Sequence, residues 1–490
     1  TSFGVPKLCY LLKHRGNAMP DALHDKALAV LDKARIALNG HRCTWGYTNI
    51  HLLNIAAKLM VADVMDDARM RAIACWDWEE WRNHTARLGM ITEYNSPPYT
   101  RVQIDALAMI LTTDAPEALL REVRAAMRHL ITDAVLNYHP GVGMLTGPMS
   151  RAYEGNRRTG GNAGIYALLK RVLGTPGAED EWGLWLGVPV GPEDLLPMGR
   201  DLALPRQTSE STPDFSRTNY LDKRFALGSV TGSARLFGHE VPFLLAYKND
   251  TSKRCSIPVM VENRTNSVHG HWSQQHEGNL LTASVWLVET QPAFETQQRN
   301  DRRGSLTRLW SGQPGDLNRN ADFQPGYRLE LGAPDDVDLY TEEGKITPGG
   351  QIAEPVLIVR TRSVLAGFRF FGASGTPASL VIDAEEDGEM ILHATAEKSG
   401  VRVSELETAV FCGMFMRVVD LSEVNDPMQL VREMSDAAIE VDVKDFGWNV
   451  RASASNAAWL DVAARTDVPS FYSADGKACT ANQWSLSLSS

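Results

Sequence analysis

The loop that spans residues 137–161 contains side chains that could transfer a proton near neutral pH. It has six glycines and two prolines, and it also carries His139, Arg151 and Tyr153. An imidazole or phenol beside a guanidinium loses its proton more readily, because nearby positive charge favours the deprotonated form. Ordering so flexible a segment costs conformational entropy, which favours a functional role over a plain connection.

A shorter loop, residues 93–99, has the sequence Glu-Tyr-Asn-Ser-Pro-Pro-Tyr. Its two prolines restrict the backbone and leave Asn95 and Tyr99 on a semi-rigid turn. An amide and a phenol held in this way could bind a substrate. An Asx-type turn that caps the next helix is an equally good interpretation.

Three histidines, His269, His271 and His276, lie within eight residues just before an apolar run. On a strand, His269 and His271 would face the same side, which metal ligation could use. No carboxylate or cysteine at ligand spacing completes a metal site. We therefore favour contact of these histidines with a substrate over metal binding, and we expect at least one of the three to be structural. We predict no cofactor, and a divalent ion at these histidines stays an open alternative.

Aromatic side chains are frequent in the first part of the chain. Their faces stack on the C–H faces of sugar rings, so an aromatic-lined cleft would suit carbohydrate. Trp45 is a candidate for such a contact, whereas Trp76 and Trp81 are expected in the core. The rings of this region are Trp45, Tyr47, Trp76, Trp78, Trp81, Tyr94 and Tyr99.

The periodicity of apolar residues changes along the chain. Between residues 20 and 175 it is helical, with short polar turns that favour antiparallel helical hairpins. The segment 175–213 is rich in Gly, Pro and acidic residues and is predicted to be a long connection. From Tyr220 onward, short β-branched and aromatic runs at regular spacing predict an all-β sandwich, interrupted by a polar loop at 297–320 and a helix at 427–439.

Length and composition restrict the class of protein. A chain of 490 residues exceeds what one hydrophobic core usually supports, so two domains are expected. No apolar stretch is long enough to span a membrane. The net charge of −11 argues against a nucleic-acid partner. The six cysteines are far apart and form no CxxC pair, so scattered structural thiols are favoured over disulfides.

Three runs together resemble the polysaccharide lyases with a helical toroid and a β-sandwich, of the heparinase II/III-like and alginate-lyase-like group. They are residues 93–99, residues 147–153 and residues 220–229, and His269-Gly270-His271 resembles a His-x-His motif of that group. The resemblance implies a partial α/α toroid over residues 1–200 and an antiparallel β-sandwich domain over 201–490. It also favours a secreted or periplasmic location; the chain starts at Thr1, so we expect it to be processed or trimmed.

Lyases of this group cleave a glycan beside a uronic acid by β-elimination. The resemblance implies that Asn95, helped by Arg151, neutralises the uronate carboxyl group. Tyr153 or His139 would act as base or acid, and His271 would approach from the β domain. Substrate contacts would come from Glu93, Tyr99, Trp45, His269, Trp272 and His276.

Two other functions fit the same sequence. A glycoside hydrolase would use two carboxylates, such as Glu93 with Asp105 or Glu154, at a defined separation. The Asp that often follows the His-x-His motif is absent, since residues 272–275 stand in its place. This departure keeps a non-catalytic glycan-binding protein as a further alternative. The sequence does not determine the sugar, the linkage or the oligomeric state.

Overall fold

The computed structural model describes most of the chain, and its helices come first. The described residues are 3–41, 43–159, 164–173, 202–212, 215–232, 240–249, 254–261, 268–289, 326–373, 375–384, 388–395, 401–402, 407–444, 447–454 and 459–465. The helices before residue 173 are α1 (Val5–Arg15), α2 (Asp21–Gly40), α3 (Thr48–Met65), α4 (Ala68–Leu88), α5 (Pro97–Ile110), α6 (Glu117–Asn137), α7 (Glu154–Thr159) and α8 (Ile165–Val172), and the hairpin β1 (Tyr138–His139) and β2 (Met144–Leu145) follows α6.

The helix ends have local causes in the sequence. The Asp67 side chain accepts a hydrogen bond from the Met70 N–H at the start of α4, and Gly89 ends that helix in the left-handed conformation. Ser96 caps α5, and Pro97 stands in its first turn. Helix α3 is buried over almost its whole length, which explains why its apolar residues are not confined to one face.

The strands after residue 206 form an antiparallel array and a separate small sheet. The strands of the array are β3 (Arg206–Thr212), β4 (Phe215–Leu221), β5 (Phe225–Gly232), β6 (Phe243–Tyr247), β7 (Ser256–Val261), β8 (Val268–His276), β9 (Asn279–Glu289), β10 (Gly326–Gly332), β11 (Asp338–Thr341), β12 (Gly344–Ile346), β13 (Gly350–Ile352), β14 (Val356–Arg360), β15 (Val364–Gly372), β16 (Ser379–Ala384), β17 (Met390–Thr395), β18 (Val401–Arg402) and β19 (Glu407–Asp420). Helix α9 (Pro427–Ser435) follows the array. The small sheet comes last and consists of β20 (Ala438–Lys444), β21 (Gly447–Ser453) and β22 (Leu460–Arg465).

The array divides into two packed layers. The pairings give the first the order β3-β4-β5-β6-β7-β10-β17-β16-β13. They give the second the order β8-β9-β19-β15-β14-β11-β12, and the short β18 also pairs with β19. One pairing, Gly232 with His271, links β5 to β8 between the layers. Leu245 of the first layer and Phe368 of the second share one buried cluster, so their inner faces form a common core.

Alternation along the strands places the helices on the outer face of the first layer. Leu227 and Leu245 point into the core between the layers, whereas Ala226 and Leu244 belong to the cluster built by the helices. The opposite face of the second layer packs against α9 and the small sheet. A helical part followed by antiparallel β structure is therefore confirmed. The α/α toroid and the boundary at residue 200 stay predictions.

Several local predictions can be compared with the structure. The predicted helix at 427–439 is found as α9, although it ends four residues earlier, and the antiparallel β structure predicted from Tyr220 onward is present. Trp81 is buried as expected, but the core assignment of Trp76 is wrong, because that ring is 48% exposed. Most of the connection at 175–213 and all of the loop at 297–320 lie outside the described residues.

Two further observations concern cysteines and membranes. Cys9, Cys43, Cys75, Cys255 and Cys412 are free thiols, so the described part of the chain contains no disulfide. Within that part, no helix combines the length and the apolar character needed to cross a membrane.

A buried carboxylate joins the helical part to the β array. Glu330 of β10 accepts hydrogen bonds from Arg157 Nε at 3.1 Å, from Arg158 Nε at 3.0 Å and from Arg328 Nη1 at 3.0 Å. Burial alone would raise its pKa, but the hydrogen bonds and charges of Arg157 and Arg158 outweigh burial and lower the pKa to about 2. Because α7 carries these two arginines, the carboxylate fixes that helix to the first layer.

Replacing Glu330 by Gln tests this junction. A depressed native pKa stabilises the fold above the ordinary carboxyl pKa of about 4.3, and that stabilisation is lost as the pH falls toward 2. We expect Glu330→Gln to lower the free energy of unfolding at pH 7 by about 3 kcal/mol. In denaturant titrations, the difference in free energy of unfolding between the variant and wild type should become smaller as the pH falls toward 2. The exposed Glu343→Gln control should change little, and a pH-independent difference would contradict the ion pairing.

Candidate functional site

The two loops selected from the sequence meet at a cluster of Tyr99, Arg151 and Tyr153. The phenol oxygens of Tyr99 and Tyr153 are 2.5 Å apart. Arg151 Nη2 donates to the Tyr153 oxygen at 3.4 Å, and its guanidinium carbon lies 4.2 Å from the centroid of the Tyr99 ring. Tyr153 is 41% exposed, so its oxygen stands at the edge of the protein. A guanidinium and a phenol therefore converge on one accessible oxygen.

A buried carboxylate holds the guanidinium in place. Glu93 accepts from the Asn49 N–H at 2.6 Å and from Asn49 Nδ2 at 2.7 Å, and Arg151 Nη1 donates to it at 3.3 Å. Burial raises the pKa of Glu93, and the donors of Asn49 and Arg151 act in the opposite direction. Glu93 is fully buried. It therefore positions Arg151, which corrects the prediction that it contacts substrate.

Main-chain carbonyls join the two loops behind this cluster. Asn95 Nδ2 donates to the carbonyl oxygens of Thr146 at 2.7 Å and Pro148 at 2.9 Å. Ser96 Oγ donates to the Arg151 carbonyl at 2.5 Å. Since both Asn95 amide hydrogens serve these carbonyls, they are not presented to a substrate, which argues against the predicted role of Asn95 at a uronate carboxyl group. Asn95 itself adopts a left-handed backbone with a φ of 44°.

A pair of glycines lets the loop 137–153 pass close to the first β layer. Gly147 has a φ of 89°, which side chains disfavour. A Cβ on Gly228 of β5 would lie 2.1 Å from the Gly147 Cα, which is closer than two non-bonded carbon atoms can approach. Beyond this crossing, Met149 forms an antiparallel bridge with Val241. The β layer thus fixes the loop immediately before Arg151.

The two tyrosines of the cluster differ in environment. Burial is the main cause that raises the pKa of Tyr99 far above its ordinary value, and the hydrogen bond with Tyr153 adds to the effect. Tyr99 therefore keeps its proton and can donate it to the Tyr153 oxygen. Tyr99 and Arg151 are thus both placed to donate hydrogen bonds to the Tyr153 oxygen.

Two aromatic residues, Trp45 and Tyr47, lie in the turn before α3. Trp45 is 39% exposed and stacks on His84 with ring centroids 4.2 Å apart. Two residues later in the chain, the Tyr47 ring lies 5.5 Å from the Arg151 guanidinium carbon. The Trp45 ring is partly accessible to solvent, and a sugar contact there stays a prediction.

His139 has a structural role in place of the predicted acid–base role. Its Nδ1 accepts hydrogen bonds from the N–H groups of Gly141 and Val142, both at 3.1 Å, so Nε2 carries the proton and donates to the Asp222 carbonyl at 2.7 Å. The side chain is fully buried. Both ring nitrogens bind main chain, and neither is presented to a substrate.

Two of the three predicted histidines, His271 and His276, lie in different environments. His271 is buried in β8 with its ring 5.7 Å from that of Phe243, whereas His276 is exposed at the far end of the strand. At about 3.3 Å per residue, five residues separate them by roughly 16 Å. The register of β8 against β9 shifts between Val268 and Gly270. The side chain of His269 lies outside the described residues.

Trp272 also departs from its predicted role. It is 4% exposed and packs in the cluster beneath α9 and the small sheet. A ring enclosed in this way belongs to the core, and it corrects the prediction of a substrate contact there.

The carboxylates of the hydrolase alternative are engaged by arginines. Asp105 accepts from Arg101 at 2.8 Å, and Glu154 pairs with Arg158. Glu93 is occupied by Asn49 and Arg151 as described. Across the described ranges, no group of three His, Cys, Asp or Glu side chains is arranged to hold a metal ion.

The structure adds Tyr47 and Asn49 to the site. Tyr47 appeared in the sequence only among many aromatic residues, and Asn49 carried no signal beyond its place in the first turn of α3. Both contact residues more than forty positions away, a proximity that the fold alone creates.

Comparisons with known proteins give limited similarity. A domain family of unknown function, DUF8769, matches residues 10–169, which comprise most of the helical part. No curated protein matches the chain. Solved structures with similarity include a heparinase III, with 10% identity, a TM-score of 0.39 and coverage of 91% of this chain and 70% of that one. A heparan sulfate lyase HepC mutant from Pedobacter heparinus has 11% identity and a TM-score of 0.37, with coverage of 85% of this chain and 65% of that one. This chain thus spans about two thirds of their length.

The role of His139 can be tested by stability and its pH dependence. Burial lowers its pKa, so the native state favours the neutral ring and loses stability as the pH falls below the ordinary value of about 6.5. We expect His139→Ala to cost on the order of 1–3 kcal/mol at pH 7, because it leaves backbone partners unpaired. The deficit should narrow at pH 5, as followed by thermal unfolding with the exposed His276→Ala as control. An unchanged melting temperature would contradict the structural role.

Proposed function

We propose that this protein is a polysaccharide lyase that cleaves a uronate-containing glycan by β-elimination. Tyr153 removes the proton from the carbon that bears the uronate carboxyl group. The observation that carries the proposal is the convergence of Arg151 Nη2 and the Tyr99 phenol on the exposed Tyr153 oxygen. Both groups are placed to donate hydrogen bonds to the oxygen that takes the proton in this proposal.

Arg151 is proposed to bind the uronate carboxyl group. A guanidinium presents its N–H donors in a planar fork that matches a carboxylate, and it keeps its charge at every physiological pH. Binding there withdraws negative charge from the carboxylate and makes the neighbouring C–H more acidic. Glu93 and the faces of Tyr47 and Tyr99 hold the guanidinium in one orientation, so little reorganisation is needed.

The proton and electron movements balance with the residues present. Tyr153 takes the proton, the C–H electron pair forms the new double bond, and the bond to the leaving sugar oxygen breaks. That oxygen takes a proton from Tyr153 or from Tyr99, which remains protonated because burial raises its pKa. No metal is required for these steps.

The proposed substrate is a polysaccharide or oligosaccharide that contains uronic acid. The uronate would lie at Arg151, and a neighbouring sugar would stack on the exposed face of Trp45. A secreted or periplasmic location, where such glycans are encountered, forms part of the proposal.

Elimination can be measured directly by the ultraviolet absorbance of the unsaturated uronate product. We expect the wild-type protein to produce this absorbance with at least one member of a panel of uronate glycans. Tyr153→Phe should lower the rate by a factor of about 100 or more, because it removes the base but keeps the ring. The control Tyr10→Phe, in α1 outside the cluster, should retain the wild-type rate.

Other results would redirect the assignment. New reducing ends without unsaturation would identify a hydrolase, and binding without either product would identify a glycan-binding protein. Full activity of Tyr153→Phe would exclude Tyr153 as the base.

A further inference from the structure

We propose that a cavity between α4 and α6 is a binding site for an uncharged, flat, apolar molecule of about two fused rings. The site is distinct from the cluster at Arg151. It is lined by Trp78, Trp81, Arg82, Thr85, Ala86, Gly89, Met90, Ile91, Glu122, Ala125, Ala126 and His129.

The cavity exists because small residues face large rings across two helices. On α6, Glu122, Ala125, Ala126 and His129 recur at intervals of three or four and share one face. The two alanines leave space that a larger side chain would fill. Trp78 and Trp81 form the opposite wall, with ring centroids 5.1 Å apart and tilted by 43°. Two tilted indoles and a run of alanines make an apolar slot.

The size of the cavity sets the size of the ligand. Its volume is about 290 Å³. An apolar protein cavity of roughly 150 Å³ accommodates one benzene molecule. A space about twice as large matches two fused rings. Arg82 and Ala86, at one side of the lining, are exposed, so a ligand can enter from the surface.

The charges in the wall are balanced before any ligand binds. Glu122 accepts from Trp78 Nε1 at 2.7 Å and from Arg82 Nη1 at 2.6 Å. Burial lowers the pKa of His129, which favours its neutral form. A charged ligand would lose its hydration without gaining an ionic partner, so the lining selects an uncharged one.

A neighbouring cavity shows why the apolar one is the better site. It has a volume of about 160 Å³, shares His129 as a wall, and is lined by Asp133, Glu210 and Arg217. Arg217 is ion-paired to both carboxylates, at 2.6 Å to Asp133 and 2.5 Å to Glu210. Its polar lining is thus largely satisfied by protein groups, whereas the surface of the α4–α6 cavity is mainly apolar and gains from burial by a ligand.

Titration calorimetry of the full chain with indole tests the proposal, because indole is an uncharged two-ring molecule. We expect wild type to bind indole, and Ala126→Leu to bind it at least roughly tenfold more weakly because leucine occupies the slot. The exposed Ala22→Leu in α2 is the matched control and should bind like wild type. Indoleacetate, which adds a negative charge, should bind more weakly than indole to the wild-type protein.

The variants are chosen so that loss of fold is not mistaken for loss of binding. Ala126→Leu should keep or raise the melting temperature, since it fills a cavity. If it unfolds, Ala86→Leu fills the same space from α4 and serves in its place. No heat of binding with wild type, or equal affinity in the filled variant, would overturn the proposal. Neither result would bear on the elimination assay, which uses other residues.

Discussion

The candidate site depends on the interaction of one buried carboxylate with Arg151. Glu93 accepts hydrogen bonds from the side chain and the main chain of Asn49 and from Arg151. Arg151 in turn donates to the Tyr153 oxygen. Burying a carboxylate without hydrogen-bond donors would cost folding free energy. The fold therefore keeps the donors of Asn49 and Arg151 in contact with Glu93. The result is a guanidinium whose position is set by the N-terminal turn of α3 and by the loop before α5. Its proposed chemistry follows from this fixed position.

The β layers contribute to the site by holding its loop. The chain between α6 and α7 crosses β5 where Gly147 meets Gly228, and it pairs with Val241 just before Arg151. Further along, Arg157 and Arg158 anchor α7 to Glu330 of β10. The loop is therefore fixed on both sides of Tyr153, although its own composition is flexible. Conformational entropy that the loop loses is offset by contacts with the sandwich.

The sequence identified the two loops and three of the residues that meet, Tyr99, Arg151 and Tyr153, because their types and spacing are local properties. It could not establish which polar groups face substrate and which bind main chain. His139 and Asn95 have suitable chemistry, but the Asn95 amide donors are taken up by the carbonyls of Thr146 and Pro148. The two ring nitrogens of His139 are likewise taken up by main-chain groups. Trp272 looked accessible in a polar stretch, yet α9 and the small sheet cover it. Such long-range covering leaves no periodic signal in the sequence.

The most direct test of the central claim is mass analysis of the glycan products formed in water labelled with heavy oxygen. Elimination breaks the sugar–oxygen bond without adding water. The account therefore predicts an unsaturated uronate end and no heavy oxygen in either fragment immediately after cleavage. Heavy oxygen at the newly formed end of a saturated product would show hydrolysis, and it would contradict the assignment of Tyr153 and Arg151 to β-elimination.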